Sequence, residues 1–326
     1  MRDFEYLAPV DLAAAAMLVK KYGGRAALKA GGTDLVDLMK ERILAPEALI
    51  NLMALEGLDG IEDDPAEGLS LGPLVTLDAL GSDPRVAKRW PALARAAADA
   101  ATPQIRNVAT LGGNLCQRPR CWYFRSADFA CLKKGGDVCF AVNGDNRYHA
   151  IFGGGPCHII TPSSTGVALA ALGAGIETAS TEGGRVMTAE QFFAMPEVDP
   201  TRETSLKPFE IVSRVRVLPP APGTVSAYEK IKEKEAHDWP LAEAAVVMVK
   251  GADGAIASAR IVLGAAAPVP WRASGAEKAL AGKKLDERSA AAASEAAVAD
   301  AKPMSGNAYK VALVREAVRR ALLAAA

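Results

Sequence analysis

The sequence runs to 326 residues, half of them hydrophobic, with 38 basic and 38 acidic side chains that balance to a formal charge of zero. That length allows two domains with substantial cores, and the balance removes the attraction that nucleic acid or an anionic membrane surface would exploit. No apolar run approaches the ~18 residues that a membrane-spanning helix needs, so the expectation is a soluble chain without membrane insertion.

The opening, MRDFEYLAPVDLAAAAMLVKKYGG, contains an alanine run, yet Asp3 and Glu5 stand where a signal peptide carries basic residues, and Lys20 and Lys21 break the apolar stretch. It reads instead as a short strand, FEYLAP, and an amphipathic helix closed by a glycine pair. AALKAGGTDLVDLMK predicts strand, glycine turn and helix, and ALINLMAL a further strand, giving a βαβ-like unit to about residue 54.

The pattern from 55 to about 180 is mixed. GLSLGPLVTLDAL predicts a strand, a turn and a helix start, and PALARAAADAATPQIRN an alanine-rich helix running into a loop. Between Thr110 and Cys157 periodicity is poor and Gly and Cys abound. A loop this long in a compact domain is functional or disordered, and its aromatic residues argue against disorder. HIITPSSTGVALAALGAGIETAS predicts strand, turn, helix and strand, MTAEQFFAM a short helix, and EIVSRVRVLPP an alternating strand. Prolines between Pro219 and Pro222 mark the domain boundary. SAYEKIKEK, LAEAAVVMVKG and AIASARIVLGAAA then predict three strands, with a hairpin turn at ADGA, before a helical tail from Ser274 to Ala326; together they make an α+β second domain.

Three constellations could carry chemistry. Leu28-Lys29-Ala30-Gly31-Gly32-Thr33-Asp34-Leu35 places a glycine pair between strand and helix, where successive N–H groups can cradle an anion and Thr33 or Asp34 can cap the helix. Thr110-Leu111-Gly112-Gly113-Asn114 repeats the theme about eighty residues on. Neither is G-x-G-x-x-G or a P-loop, and each alone is compatible with an ordinary tight turn. The third is cysteine. All five fall between Cys116 and Cys157, unlike a disulfide framework, and Cys121, Cys131, Cys139 and Cys157 are spaced C-x9-C-x7-C-x17-C. Four thiolates suit a [4Fe–4S] cluster or a zinc ion, and buried free thiols are the plain alternative. His149, His158 and His237 show no metal-ligand spacing, Ser163 and Ser164 have no visible base, and the run Glu229–Glu235 reads as a solvated face.

The order of these signals resembles the FAD-binding subunits of the xanthine dehydrogenase and carbon monoxide dehydrogenase family. AGGTDLVDLM and TLGGNL resemble that family's two pyrophosphate loops, and YEKIKEKEAHDWPLAEAAVVMV, ARIVLGAAAPVPWRA and NAYKVALVREAVRRAL its carboxyl-terminal domain. The segment from Asn114 to Cys157 is similar to the branch of aldehyde oxidoreductase flavin subunits and 4-hydroxybenzoyl-CoA reductase beta subunits, which hold an extra [4Fe–4S] cluster.

The resemblance implies an α+β chain: a two-subdomain FAD-binding fold of the vanillyl-alcohol-oxidase type over 1–220, divided at about 54, with an iron–sulfur insertion at about 115–158, then a CO-dehydrogenase-flavoprotein-like domain over 221–326. It implies that FAD contacts Leu28 to Leu35, Thr110, Gly112, Gly113, Asn114, Ser164 and Lys230. Backbone N–H groups of both loops and the hydroxyls of Thr33 and Thr110 would bind its diphosphate. Cys121, Cys131, Cys139 and Cys157 would ligate the cluster, with Cys116 left free. Where the family reads His-Pro-Ser-Asp, this chain has Thr161-Pro162-Ser163-Ser164, so an acidic flavin contact is expected to be lost, weakened or replaced by water. The implied partners are a molybdopterin-binding large subunit and a small [2Fe–2S] subunit, in a dimer of heterotrimers, in the cytoplasm or exported with a signal-bearing partner. Two other readings are a self-contained flavin oxidoreductase and a zinc scaffold held by the four cysteines.

Overall fold

A computed structural model describes residues 1–234 and 237–326. Its first unit comprises β1 (Glu5–Leu7), α1 (Leu12–Tyr22), β2 (Ala26–Lys29), α2 (Leu35–Lys40) and β3 (Ala48–Asn51). Asp11 starts α1 by accepting the Ala14 N–H at 2.7 Å, and Gly23, at φ +58°, ends it by returning its N–H to the Val19 carbonyl. The sheet order is β1-β3-β2, all parallel, with Tyr6 opposite Leu49 and Leu28 opposite Ile50. Parallel neighbours require crossovers, which α1 and α2 supply.

The middle unit contains β4 (Ile61–Asp64), β5 (Gly68–Leu71), α3 (Leu77–Ser82), α4 (Pro84–Arg89), α5 (Pro91–Ala98), α6 (Pro103–Arg106), α7 (Leu111–Leu115), α8 (Trp122–Arg125), α9 (Ser164–Ala171), β6 (Gly175–Ala179), β7 (Val186–Thr188), α10 (Ala189–Phe192) and β8 (Ile211–Val217). Its strands form an antiparallel sheet, β4-β5-β8-β6-β7. The last unit is an antiparallel sheet of β9 (Thr224–Lys232), β10 (Pro240–Lys250), β11 (Ile256–Gly264) and β12 (Trp271–Arg272), covered by α11 (Ser274–Leu280), α12 (Glu287–Ala297) and α13 (Tyr309–Ala324). No helix among the described residues is long and apolar enough to cross a membrane.

β10 is buried on both faces. Ala242, Ala244, Val246 and Met248 join the core beneath α13, and Ala245 joins the middle unit's core with the fully buried α9. A strand covered on both sides reads as a continuous apolar run. Glu243 is the exception in that run, and it is wholly buried.

The predicted strands and helices form at nearly every place expected, with one difference at 158–161, which makes no ladder; Thr161 N–H instead crosses to the Ala267 carbonyl at 2.9 Å. No expectation covered β4, β7, β12, α4, α7 or α8; the three strands lie at sheet edges and run only two to four residues, too short for a burial period to register in the sequence.

Lys310 of α13 ties the long insertion to this last unit. Fully buried, it donates from Nζ to the carbonyls of Ala265 at 2.5 Å and His149 at 3.2 Å. Burial pulls its pKa down to about 7. The unfolded chain therefore binds the proton more readily, and stability should rise with pH between about 7 and the ordinary lysine value of 10.5. Thermal melts of Lys310→Met across this range should lose that part of the rise; an unchanged slope would show that Lys310 does not titrate in the fold.

Candidate cofactor cleft and cysteine site

A cleft of about 460 Å³ opens where the two first sheets face β9 and β10. Its walls carry Leu28, Ala30, Gly31, Gly32, Thr33, Asp34, Leu35, Thr110, Gly112, Gly113, Asn114, Ser164 and Lys230. Lys29 does not reach the wall; its Nζ lies 3.4 Å from Asn51 Oδ1. The apolar part of the wall, including Leu74, Leu77, Ile105 and Val212, had no local signature, because these side chains come from separate elements.

The first glycine loop touches the residues that lead into the second. A Cβ on Gly31 would lie 2.0 Å from the Val108 carbonyl oxygen, so only glycine allows this approach. Among the described residues, the N–H groups of Gly31, Gly32, Thr33 and Asp34 have no protein acceptor, and successive free N–H groups make an anion-binding concavity.

The second loop departs from expectation. Gly112 N–H donates to the Pro73 carbonyl at 2.8 Å, Gly113 N–H to Thr110 Oγ1 at 3.1 Å, and Asn114 N–H to the Thr110 carbonyl at 2.8 Å. These backbone donors are taken up within the protein, and the buried Thr110 hydroxyl oxygen accepts from Gly113 at the start of α7. What the loop offers is the Asn114 amide. Its Oδ1 accepts from Ser163 at 2.8 Å and Thr165 at 2.6 Å, and Ser163 Oγ accepts from Gly166 N–H at 3.0 Å, which directs the Ser163 proton to Asn114. The amide orientation is thus fixed, leaving Nδ2 as an unpaired donor on the cleft wall.

Asp34 is not a cap. Its carboxylate accepts the Arg118 N–H at 2.8 Å and Arg125 Nη2 at 2.6 Å and pairs with Arg120, binding the first loop to the insertion. Burial nevertheless pushes the Asp34 pKa above the usual carboxylate value. At the cleft mouth the Arg120 guanidinium lies 4.5 Å from the centre of the Trp239 ring. Lys230 is not on a solvated face either: it donates to the Asp99 carbonyl at 3.0 Å, and burial lowers its pKa. Glu235, at the end of that charge run, lies outside the described residues.

Ser164 begins α9. Its hydroxyl and the Tyr228 hydroxyl both donate to Glu243 Oε1, while Oε2 is buried with no hydrogen-bond partner. Burial raises the pKa of both Glu243 and Tyr228.

Cys121, Cys131, Cys139 and Cys157 line a second, narrow cavity with Tyr123, Phe124 and His149. Cys116 is on the large cleft instead, and exposed. His149 Nε2 is 3.2 Å from Cys121 Sγ. The Cys121 thiol is pushed up to about 11 by burial, whereas the hydrogen bond with Cys157 holds Cys139 well below its ordinary value and raises Cys157. Among the described residues, no three His, Cys, Asp or Glu side chains are gathered tightly enough to hold a single metal ion. Leu38 packs with Phe124 and Cys131 and also lines the large cleft, so the two cavities share a wall.

Residues 2–221 match the FAD binding domain in molybdopterin dehydrogenase, and residues 226–325 match the CO dehydrogenase flavoprotein C-terminal domain. The chain belongs to the FAD-binding subunits of the xanthine dehydrogenase and CO dehydrogenase family. This flavoprotein subunit is 35% identical to the aldehyde oxidoreductase FAD-binding subunit PaoB of Escherichia coli (strain K12), over 99% of this chain and 98% of that one. It is 32% identical to the carbon monoxide dehydrogenase medium chain of Hydrogenophaga pseudoflava, over 99% and 96%. A solved structure of carbon monoxide dehydrogenase from that organism superposes with a TM-score of 0.78 at 32% identity, covering 99% of this chain and 97% of that chain. Quinoline 2-oxidoreductase from Pseudomonas putida 86 matches with a TM-score of 0.78 at 26% identity, over 99% and 97%.

The cleft of the flavoprotein subunit fits FAD. It offers unpaired N–H groups for a diphosphate beside an apolar wall for a planar ring system. The chain is accordingly a subunit of an oxidoreductase.

Proposed function

We propose that this chain is the electron-transferring FAD subunit of a molybdenum hydroxylase complex, working with a molybdopterin-binding large subunit and a small [2Fe–2S] subunit. The packing of Gly31 against Val108 and Ala109, at the entry to the second glycine loop, with both loops on one cleft, carries this reading. The domain limits are set at 1–220 and 221–326. Gly31 to Asp34 and the Asn114 amide bind the diphosphate; Leu74, Leu77, Ile105 and Val212 exclude water beside the ring. Bound flavin accepts and releases electrons singly or in pairs, and the protein supplies placement and electrostatics.

We further assign a [4Fe–4S] cluster to Cys121, Cys131, Cys139 and Cys157. Their shared cavity supports this, because a cubane takes one thiolate per iron and all four cysteines line one space. The self-contained oxidase is disfavoured by relatives that match this chain over almost their whole length and are themselves medium chains or FAD-binding subunits. Five cysteines with no disulfide among them accord with a reducing compartment such as the cytoplasm.

Purification of the native protein tests the assembly. The chain should elute with flavin and with two further polypeptides, one of them carrying molybdopterin. An active, flavin-loaded chain eluting alone would defeat the subunit reading.

A further inference from the structure

Glu243 is an anomaly of its strand: a charged residue, wholly buried, in a run that is otherwise apolar up to Lys250. Such a group persists when its hydrogen bonds are satisfied or when its position serves a site. Its environment is asymmetric. Oε2 sits where a Cβ on Gly264 would be 2.2 Å away and is without a partner, while Oε1 accepts two hydroxyl protons, from Ser164 and from Tyr228. Lys230, the nearest cation on the adjoining strand, is turned to the Asp99 carbonyl instead.

The consequence falls on Ser164, which lies on the wall of the FAD cleft. A serine hydroxyl has one proton and two lone pairs. With the proton directed backwards to Glu243, only lone pairs remain for the cleft. We propose that Glu243, a residue of the second domain, is a positioning residue for the flavin: it fixes Ser164 as a hydrogen-bond acceptor, so that the cleft recognises an O–H or N–H donor of FAD at this point. This rests on the FAD reading of the same cleft. It also answers the expectation that replacing an acid by Ser164 weakens the wall, since a carboxylate stands directly behind the hydroxyl and polarises it.

The test uses the full chain, stripped of flavin and titrated with FAD while flavin fluorescence is followed. Glu243→Met removes the acceptor and frees the Ser164 hydroxyl to rotate, and FAD dissociation should rise about tenfold, the scale of one lost hydrogen bond. Glu243→Gln keeps an acceptor oxygen and should restore binding to near wild type. Ser164→Ala should match Glu243→Met, and the double variant should be no worse than either, as expected for residues acting as one unit. Tyr228→Phe breaks the other bond to the same oxygen and also removes a neighbour of the Ser164 hydroxyl, so it should lower thermal stability and raise FAD dissociation by clearly less than Glu243→Met does.

Additive losses in the double variant, or a Tyr228→Phe loss equal to that of Glu243→Met, would make Glu243 merely structural and overturn the proposal. Should Glu243→Met fail to fold, Ser164→Ala decides, and unchanged FAD binding there overturns it too. Failure of the wild-type chain to take up FAD would instead sink the cofactor reading itself.

Discussion

Gly31→Ala is expected to leave the subunit without flavin. The added methyl would sit 2.0 Å from the Val108 carbonyl oxygen and 2.8 Å from the Val108 carbonyl carbon, with Ala109 Cα at 3.3 Å. These are backbone atoms that cannot rotate away. Either the two loops part or the backbone around Val108 shifts, and overpacking of this kind costs on the order of 1–3 kcal/mol or more. The contact lies beside the proposed diphosphate site, so the cost should appear as lost binding before it appears as lost folding. Flavin absorbance per purified chain should drop to a small fraction of wild type, with little change in far-ultraviolet circular dichroism. Gly24→Ala is the control, because nothing lies within 4 Å of a Cβ there. Equal flavin content in both variants would show that the loop contact is not part of the site.

Cys131→Ala should abolish the iron signal. Cys131 is buried, packs against Leu38 and Phe124, and lines the four-cysteine cavity. In the proposed cluster, removing one of the four thiolates would leave one iron without its protein ligand. Bound iron in this subunit should fall from about four atoms per chain to near zero, and the reduced-state paramagnetic signal should vanish. Flavin occupancy should fall less, because the Gly31–Val108 contact lies outside the insertion. Cys116→Ala, on the open wall of the other cavity, should change neither quantity. A paramagnetic signal persisting in Cys131→Ala refutes the ligand assignment.

What could be read from the sequence divides along physical lines. The glycine pairs at 31–32 and 112–113 were visible because a residue without a side chain is conspicuous between a strand and a helix. That they meet was not visible, since no local pattern reports on contacts about eighty residues apart. The second loop shows the limit more sharply. TLGGN looks like a row of backbone donors, yet Thr110, Pro73 and the start of α7 consume them, and only the fold reveals that the Asn114 amide is left over. Asp34 looked like a cap because its residue type favours one, but two arginine side chains from the insertion outcompete the helix end. Glu243 gave a signal that could have been used. A lone acid inside LAEAAVVMV is costly if the strand is covered on both faces, and the apolar residues around it already said that it would be.

The carboxylate of Asp34 has a consequence for maturation. Arg118, Arg120 and Arg125 grip it, and all three belong to the segment that leads into the cysteine cavity. The loop from Gly31 to Asp34 is therefore anchored to the segment to which the proposed cluster is assigned. On that assignment, a polypeptide starved of iron would hold this anchor more loosely and load flavin more slowly, while keeping the Gly31–Val108 contact that lets it bind.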